Sequence, residues 1–319
     1  MDRYQFKPKS KVREFIGEKL IALTALAALI GIVLIFVFIF KESIPIFVDK
    51  ATQEEVTIDR MVFKQTFYED EDAKWIWQPN SDIPKYSLMP LFIGTLKAAI
   101  IAMLFATPLG VMAAIYTSEF ASKRTKEIIK PVIELLAGIP SVVLGFFALI
   151  VLATFLQNAF GLTFRLNALN AGLALGITII PVIFTISEDA MTAVPQSLRD
   201  AAIALGANPW QVSFTMVLPA AMPGIAAGIV LGFGRAIGET MIVLMASGNA
   251  AISSLSFTDS IRTFSATIAA ELAEVVFGSP HYSVLFLIGT LLFVFTFLTN
   301  LSGDIILTKL RERLQGRMS

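Results

Sequence analysis

The sequence predicts an all-α membrane protein that crosses the bilayer six times, and three observations carry that expectation. Of its 319 residues 55% are hydrophobic and only 16% charged, where soluble domains carry roughly 25% charged residues. Apolar runs close to the length of about 20 residues that a bilayer demands recur along the chain. The 26 Phe and 20 Gly suit helices that face lipid on one side and approach one another closely on the other. The same composition excludes several chemistries. With no Cys there are no disulfides, thiolate metal sites or cysteine nucleophiles, and the single His281 leaves no histidine cluster for a metal. Basic and acidic residues balance, which argues against a nucleic-acid partner.

The first apolar run, 20–40, contains no charge and follows a basic segment, 1–19, with Arg3, Lys7, Lys9, Lys11, Arg13 and Lys19. It is longer than the apolar core of a cleaved signal, about 15 residues, and no small-residue cleavage site follows, so it reads as a retained first helix. A loop, 41–89, separates it from a core, 90–310, whose spans are expected at 90–117, 132–156, 168–187, 221–247 and 282–307, with a tail at 311–319. Lys and Arg are nearly twice as numerous in the segments 1–19, 119–131, 188–220 and 308–319 as in the alternating ones, which by the positive-inside rule puts both termini in the cytoplasm. The 41–89 loop then lies outside. Its acids, Glu54, Glu55, Asp59 and the run 69–72, read as a solvated surface, and Trp75, Trp77 and Tyr86 as an interfacial belt.

Between spans four and five the chain reads SEDAMTAVPQSLRDAAIALGANPWQVSFTMVLPAAMPG, with little charge and clear punctuation. Pro195 and Ser197 start a helix and Gly206 stops it. A second short helix is expected from Pro209, at the first-turn position Pro favours, closing at Leu218 and Pro219. Such an elbow exposes Ala201, Ala202, Leu205, Trp210 and Val212. It is either a docking element or an amphipathic pair lying on the membrane. The spacing Asp200-Ala201-Ala202, then Gly206, then Leu218-Pro219 resembles the EAA loop of ABC-importer permeases. Asp200 replaces the usual Glu and Met216 the usual Ile. The resemblance implies that this loop, 195–219, carries coupling helices that fit a cleft on a separate ATP-hydrolysing subunit.

Further stretches, GTLKAAIIAMLFATPLGVMAAIYTSEF (94–120), ELLAGIPSVVLGF (134–146), GFGRAIGETMIV (232–243) and AAELAEV (269–275), resemble the permeases of the phosphate-specific transport system over roughly 86–310. The long loop after span one favours its C subunit over its A subunit. The family implies a type I ABC-importer permease fold. Its partners would be an ATP-binding cassette ATPase dimer, a second homologous permease subunit and a periplasmic phosphate-binding protein, with phosphate as the cargo and no cofactor. The chain lacks the glycine-rich G-x-x-x-x-G-K-[ST] loop that holds nucleotide phosphates, so ATP hydrolysis would belong to a partner and the chain would not be an enzyme.

Residues on the expected path follow from charge and helical phase. At ~100° per residue, Gly224, Gly228, Gly232, Arg235 and Glu239 fall within ~80° of one another on a continuous helix. Such a stripe should meet protein rather than lipid. A charge at mid-membrane costs about 2.5–3.5 kcal/mol, so Arg235 and Glu239 are either a buried structural ion pair or an anion site where Arg supplies bidentate bonds to an oxyanion. Lys97 either snorkels from span two or attracts the anion. Glu134, three residues after Pro131, reads as a first-turn carboxylate that complements a helix dipole. The sequence Gly138-Ile139-Pro140-Ser141 breaks span three, either to aim Ser141 and freed amides at an anion or for packing alone. Pro181 should kink span four, and Asp304 reads as interfacial. Rival readings are a permease for sulfate or molybdate, an intramembrane enzyme, and a passive anion channel.

Overall fold

The computed structural model describes residues 11–66 and 73–318, so the acidic run 69–72 and Lys9 lie outside the described residues. In chain order the elements begin with a long helix α1 (Lys11–Ser43), three short helices α2 (Pro45–Val48), α3 (Lys50–Glu55) and α4 (Ile58–Val62), and an antiparallel ribbon β1 (Trp77–Gln78) with β2 (Lys85–Tyr86). Then come α5 (Met89–Ile115), α6 (Lys123–Ala137), α7 (Ser141–Phe147), α8 (Ala153–Phe160) and α9 (Ala168–Thr192). The remainder is α10 (Gln196–Ala204), α11 (Pro209–Val212), α12 (Leu218–Gly238), α13 (Met241–Ala246), α14 (Phe264–Glu271) and α15 (Pro280–Met318). Wider π-type turns at Tyr116–Phe120, Ala148–Leu152 and Ser213–Val217 extend α5, join α7 to α8 and join α11 to α12. Six stretches are long and apolar enough to cross a membrane: Phe15–Val48, Met89–Phe120, Ser141–Phe160, Ala168–Thr192, Pro209–Gly238 and Pro280–Ile305.

Small residues decide how these helices meet. Ala98, Ala102, Ala106 and Gly110 repeat every fourth residue on α5. Gly172 and Gly176 do the same on α9, so a β-carbon at Gly172 would sit 2.5 Å from Ile101 and one at Gly176 2.7 Å from the Phe105 ring. In a membrane, where apolar burial gives no driving force between helices, such close backbone approach supplies the dispersion contacts that hold them together. The glycine stripe on α12 behaves as expected. Gly224 faces the Ala190 side chain, Gly228 lies 3.2 Å from Ile186, and Gly232 lies 2.9 Å from Ile179, all by the position a β-carbon would take. By contrast α1 meets the bundle chiefly through α15, with Phe36 and Phe293 rings 4.7 Å apart, and no residue of its most apolar stretch is buried.

The break at 138–140 falls where the sequence placed it, and three expectations about elements are corrected. The helix before the break, α6, reaches back to Lys123, and the stretch apolar and long enough to cross a membrane begins only after it, at Ser141. Pro131 therefore lies inside α6 and Glu134 in its last turn, where the helix dipole does not favour a carboxylate. Span five also breaks, at Glu239 and Thr240. The loop after α1 is not simply a solvated surface. Trp77 and Tyr86, read as an interfacial belt, are 5% and 4% exposed and pack with Ile46, Met61, Leu88 and Leu285.

Candidate functional site

The elbow is built by its punctuation. Pro195 precedes the first residue of α10, and Gly206, at φ 87°, turns the chain after it in a conformation that side chains with a β-carbon resist. Asn208 then caps α11: its side chain accepts from the Gln211 amide at 2.9 Å while the Gln211 side chain accepts from the Asn208 amide at 2.9 Å. The second helix does not close at Leu218 and Pro219. Pro219 has no N–H to offer Thr215 and its ring would press on that carbonyl; the wider turn Ser213–Val217 accommodates this, and the chain runs on into α12. Ala202 and Val212, expected at the surface, are buried with Phe184, Met191 and Val217. Ala201, Ile203, Leu205 and Trp210 are exposed, Leu205 to 90%, as is Asp200. Trp210 stacks 4.3 Å from Phe214 and 5.6 Å from Phe120, giving the elbow a fixed aromatic ledge.

Arg235 and Glu239 no longer share one helical stripe. Arg235 occupies the last turn of α12, while Glu239 follows the helix end in an extended conformation, φ −68° and ψ 131°, so its phase relation to the glycines is lost. No salt bridge joins them among the described residues; the Glu239 backbone carbonyl instead accepts from the Ser265 hydroxyl at 2.8 Å. Gly232, one turn before Arg235, meets Ile179 and Ile183, near the midpoint of α9. Arg235 is thus exposed on the side of the bundle, about one turn beyond the level of the midpoint of α9.

The second break lies beside the first. A β-carbon on Gly145, one turn into α7, would meet the Met241 carbonyl at 3.2 Å and Ile242 Cα at 3.3 Å. The start of α13 therefore packs against the start of α7. Ser141 opens α7 half-exposed, behind Pro140. A cleft of about 580 Å³ opens at this break, lined by Pro131, Glu134, Leu135, Gly138, Ile139 and Pro140. Irregular backbone at membrane depth persists only where it is buried in protein or lines a watery path, and two half-helices starting there present free amides of the kind that complement anions.

Lys97 does not snorkel. It is 5% exposed, and its Nζ donates to the carbonyl of Ser254 at 2.9 Å and to that of Ser256, which pins the 248–263 segment over α5. That segment also closes on Gly248, where a β-carbon would lie 2.8 Å from the Leu166 carbonyl. Charge spacing along the sequence missed the tie because the acceptors are carbonyls 157 and 159 residues away.

Sequence reasoning also missed the ion pairs at the two ends of the bundle. At the elbow end, Glu119 pairs with Arg199 at 3.0 Å and Glu188 with Lys130 at 2.9 Å. At the opposite end, Glu271 receives Arg262 at 2.7 Å, His281 at 2.9 Å and the Trp77 indole at 3.1 Å. Burial opposes ionisation of Glu271, yet the bonds from His281 and Trp77 and the Arg262 charge outweigh it and hold the carboxyl below its usual range. Burial, then the Glu55 carboxylate 2.8 Å away, raises the Tyr86 phenol far above its ordinary value.

Comparisons with known proteins agree with this architecture. The family model described as "Binding-protein-dependent transport system inner membrane component" matches residues 106–315. A probable ABC transporter permease protein of Bacillus subtilis, YqgH, is 39% identical over 70% of this chain and 72% of its own length. The phosphate transport system permease protein PstC of Mesorhizobium japonicum is 36% identical over 70% and 73%. Among solved structures, a chain of a bacterial ABC transporter involved in the import of the acidic polysaccharide alginate superposes with a TM-score of 0.60 at 14% identity, covering 94% of this chain and 99% of that one. A chain of the MetNI methionine ABC transporter in an inward-facing conformation gives 0.53 at 18%, covering 70% and 94%. Six apolar helices, two of them broken beside one another, and an elbow before the fifth are thus the fold of a type I importer permease, and the chain belongs to the binding-protein-dependent transport system inner membrane component family.

Proposed function

We propose that the chain is a permease subunit of an ATP-driven phosphate importer. It would act beside a second homologous permease, an ATPase dimer at the elbow and a periplasmic phosphate-binding protein, with both termini in the cytoplasm. The observation that carries this reading is Arg235: a guanidinium near mid-depth, exposed on its own chain and without an anionic partner among the described residues. Facing lipid it would cost several kcal/mol. Covered by a second permease and opening on an aqueous path, it becomes a fork suited to bidentate bonds with a tetrahedral oxyanion. Ser141 and the amides at the start of α7 would add neutral donors, and Glu239 would hold the guanidinium's charge between cargoes. Phosphate is favoured over another oxyanion by the relative named for phosphate transport.

At the other end of the mechanism, Asp200, Ala201 and Ala202 with Gly206 shape the elbow, and Leu205 and Trp210 are the apolar side chains it would offer an ATPase cleft. Ala202 serves from within, packed in the elbow's core, and Leu218 and Pro219 carry the elbow's displacement into α12. Lys97 acts through the 248–263 segment it holds rather than by touching the anion. In proteoliposomes with all partners, labelled phosphate should enter only with ATP and the loaded binding protein, and sulfate or molybdate should not compete. Uptake without ATP would favour a passive channel instead, and competition by sulfate would favour a broader oxyanion permease.

A further inference from the structure

Arg199 is fixed on every nitrogen it owns. From α10 its Nη2 donates to Glu119 Oε1 at 3.0 Å and to the Met191 carbonyl at 2.9 Å, its Nε donates to Glu119 Oε2 at 3.5 Å, and its Nη1 donates to the Val194 carbonyl. Glu119 stands in the π-type turn that ends the second membrane span, while Met191 lies in the last turn of the fourth and Val194 in the link that follows it. Ser118 adds a bond to Glu119 at 2.7 Å, and Lys126 donates to the Ser118 carbonyl at 2.8 Å. The side chains of Arg199 and Glu119 are 15% and 9% exposed, so water screens the pair little. One guanidinium therefore joins the end of span two to α9 and α10, which the chain itself connects through the short link Ala193, Val194 and Pro195.

We infer that Arg199 is a positioning residue of the transport cycle: its clasp on Glu119 and the end of α9 makes the elbow one rigid body with spans two and four. Any push on the exposed Leu205 and Trp210 then displaces both spans together. Without the clasp, the 193–195 link would flex, and the push would be absorbed there while the elbow still met its partner. Two features favour transmission over mere support. Ala202, Val212 and Val217 already anchor the elbow through an apolar core, so the fold does not hang on the pair. And the clasp gives the end of span two a directional polar tie to α10, where its other contacts with the elbow are apolar, through Ala114 in the same core and the Phe120 ring 5.6 Å from Trp210. Arg is suited to this task, because a planar fork locks direction where the single ammonium of Lys would pivot.

The inference rests on the proposed contact between elbow and ATPase, and the experiment separates the two. The complete complex, in proteoliposomes, is assayed for ATP hydrolysed per phosphate taken up, in the wild type, in Glu119→Gln, and in a Glu119→Cys, Arg199→Cys double variant before and after a short bismaleimide bridge. The native chain has no cysteine to interfere. The clasp predicts assembled complexes that still hydrolyse ATP in Glu119→Gln and in the unbridged pair. Their ATP cost per phosphate rises clearly above the wild-type value, and the covalent bridge brings it back toward that value. An unchanged ratio in both assembled variants overturns the inference. So does a loss of assembled complex with a normal ratio in what remains, since that marks a pair that only holds the fold. Wild-type uptake that is indifferent to Leu205→Ser and Trp210→Ser would refute the elbow contact itself, whatever the ratio does.

Discussion

The two ends of the bundle and its middle handle charge differently. At the ends, Glu119, Glu188 and Glu271 are largely withdrawn from solvent, and each has a cation within 3.0 Å. In the middle, Arg235 and Glu239 lie four residues apart in sequence, yet the helix stops between them and no salt bridge forms. Removing one partner of a buried ion pair typically costs 3–5 kcal/mol because the other charge is stranded, so the Glu188 and Glu271 pairs are fixtures of the fold, whereas Arg199 without Glu119 keeps the Met191 and Val194 carbonyls and the elbow keeps its apolar core. The mid-depth charges carry no such penalty within this chain. The difference teaches where to look for the cargo: charges paired within the chain describe how its elements are held and move together, and unpaired ones describe what it handles.

The largest expected effect comes from the middle. Arg235→Gln should reduce phosphate uptake by about 10–100-fold, the weight of a lost charge-assisted contact, while the complex assembles at the wild-type level. Glu239→Gln should also impair uptake with assembly intact. Poor assembly in either single variant would erase the contrast with the ends, since it would show that the mid-depth charges are structural too.

At the far end the order reverses. Glu271→Ala strands Arg262 beside His281 and Trp77, and should destabilise the protein by about 3–5 kcal/mol. The readout is thermal unfolding followed by proteolysis of the 41–89 loop. Phosphate uptake per surviving complex should stay near normal. A specific uptake defect in fully folded Glu271→Ala would move this cluster from architecture to transport.

Gly206 sharpens the comparison from the elbow side. It has φ 87° and open space where a β-carbon would go, so Gly206→Val meets no neighbour and costs only backbone strain, about 1–2 kcal/mol. The chain should still insert, while its affinity for the ATPase in detergent falls. Normal ATPase binding by Gly206→Val would contradict the coupling role.

The smallest effect is one of pH. A carboxyl whose folded pKa is lowered, as for Glu271, is stabilising when ionised. That contribution is present above its ordinary value of about 4.3 and is lost as pH falls through the folded value. The far-end cluster should therefore loosen only in acid, with fluorescence of the buried Trp77 as the reporter, and Glu271→Gln should flatten the transition. A Trp77 transition of equal size in Glu271→Gln would assign it to another group.

Much of this architecture was legible in the sequence, and the failures share a cause. Apolar run lengths locate all six spans, and the glycine and proline punctuation locates the elbow and the break at 138–140, because these signals are local. The phase argument that placed Glu239 on the glycine stripe assumed a helix that continues past Gly238, and helical periodicity says nothing about where a helix stops. The ties of Lys97 to Ser254 and Ser256, of Arg199 to Glu119 and of Glu271 to Trp77 join residues 80 to 194 positions apart, some through backbone carbonyls, and no spacing rule reaches them. Trp77 and Tyr86 were misjudged for the same reason: an aromatic beside a membrane span looks the same in sequence whether it faces headgroups or a folded cap.

The most direct test is the double replacement Arg235→Gln, Glu239→Gln in the complete complex, measured for assembly and for ATP-driven phosphate uptake in the same preparation. The account predicts wild-type assembly and no recovery of uptake relative to either single variant, because the fork that meets the anion is gone. If the single variants assemble poorly and the double variant regains both assembly and uptake, Arg235 and Glu239 are a structural pair and the transport role assigned to them is wrong.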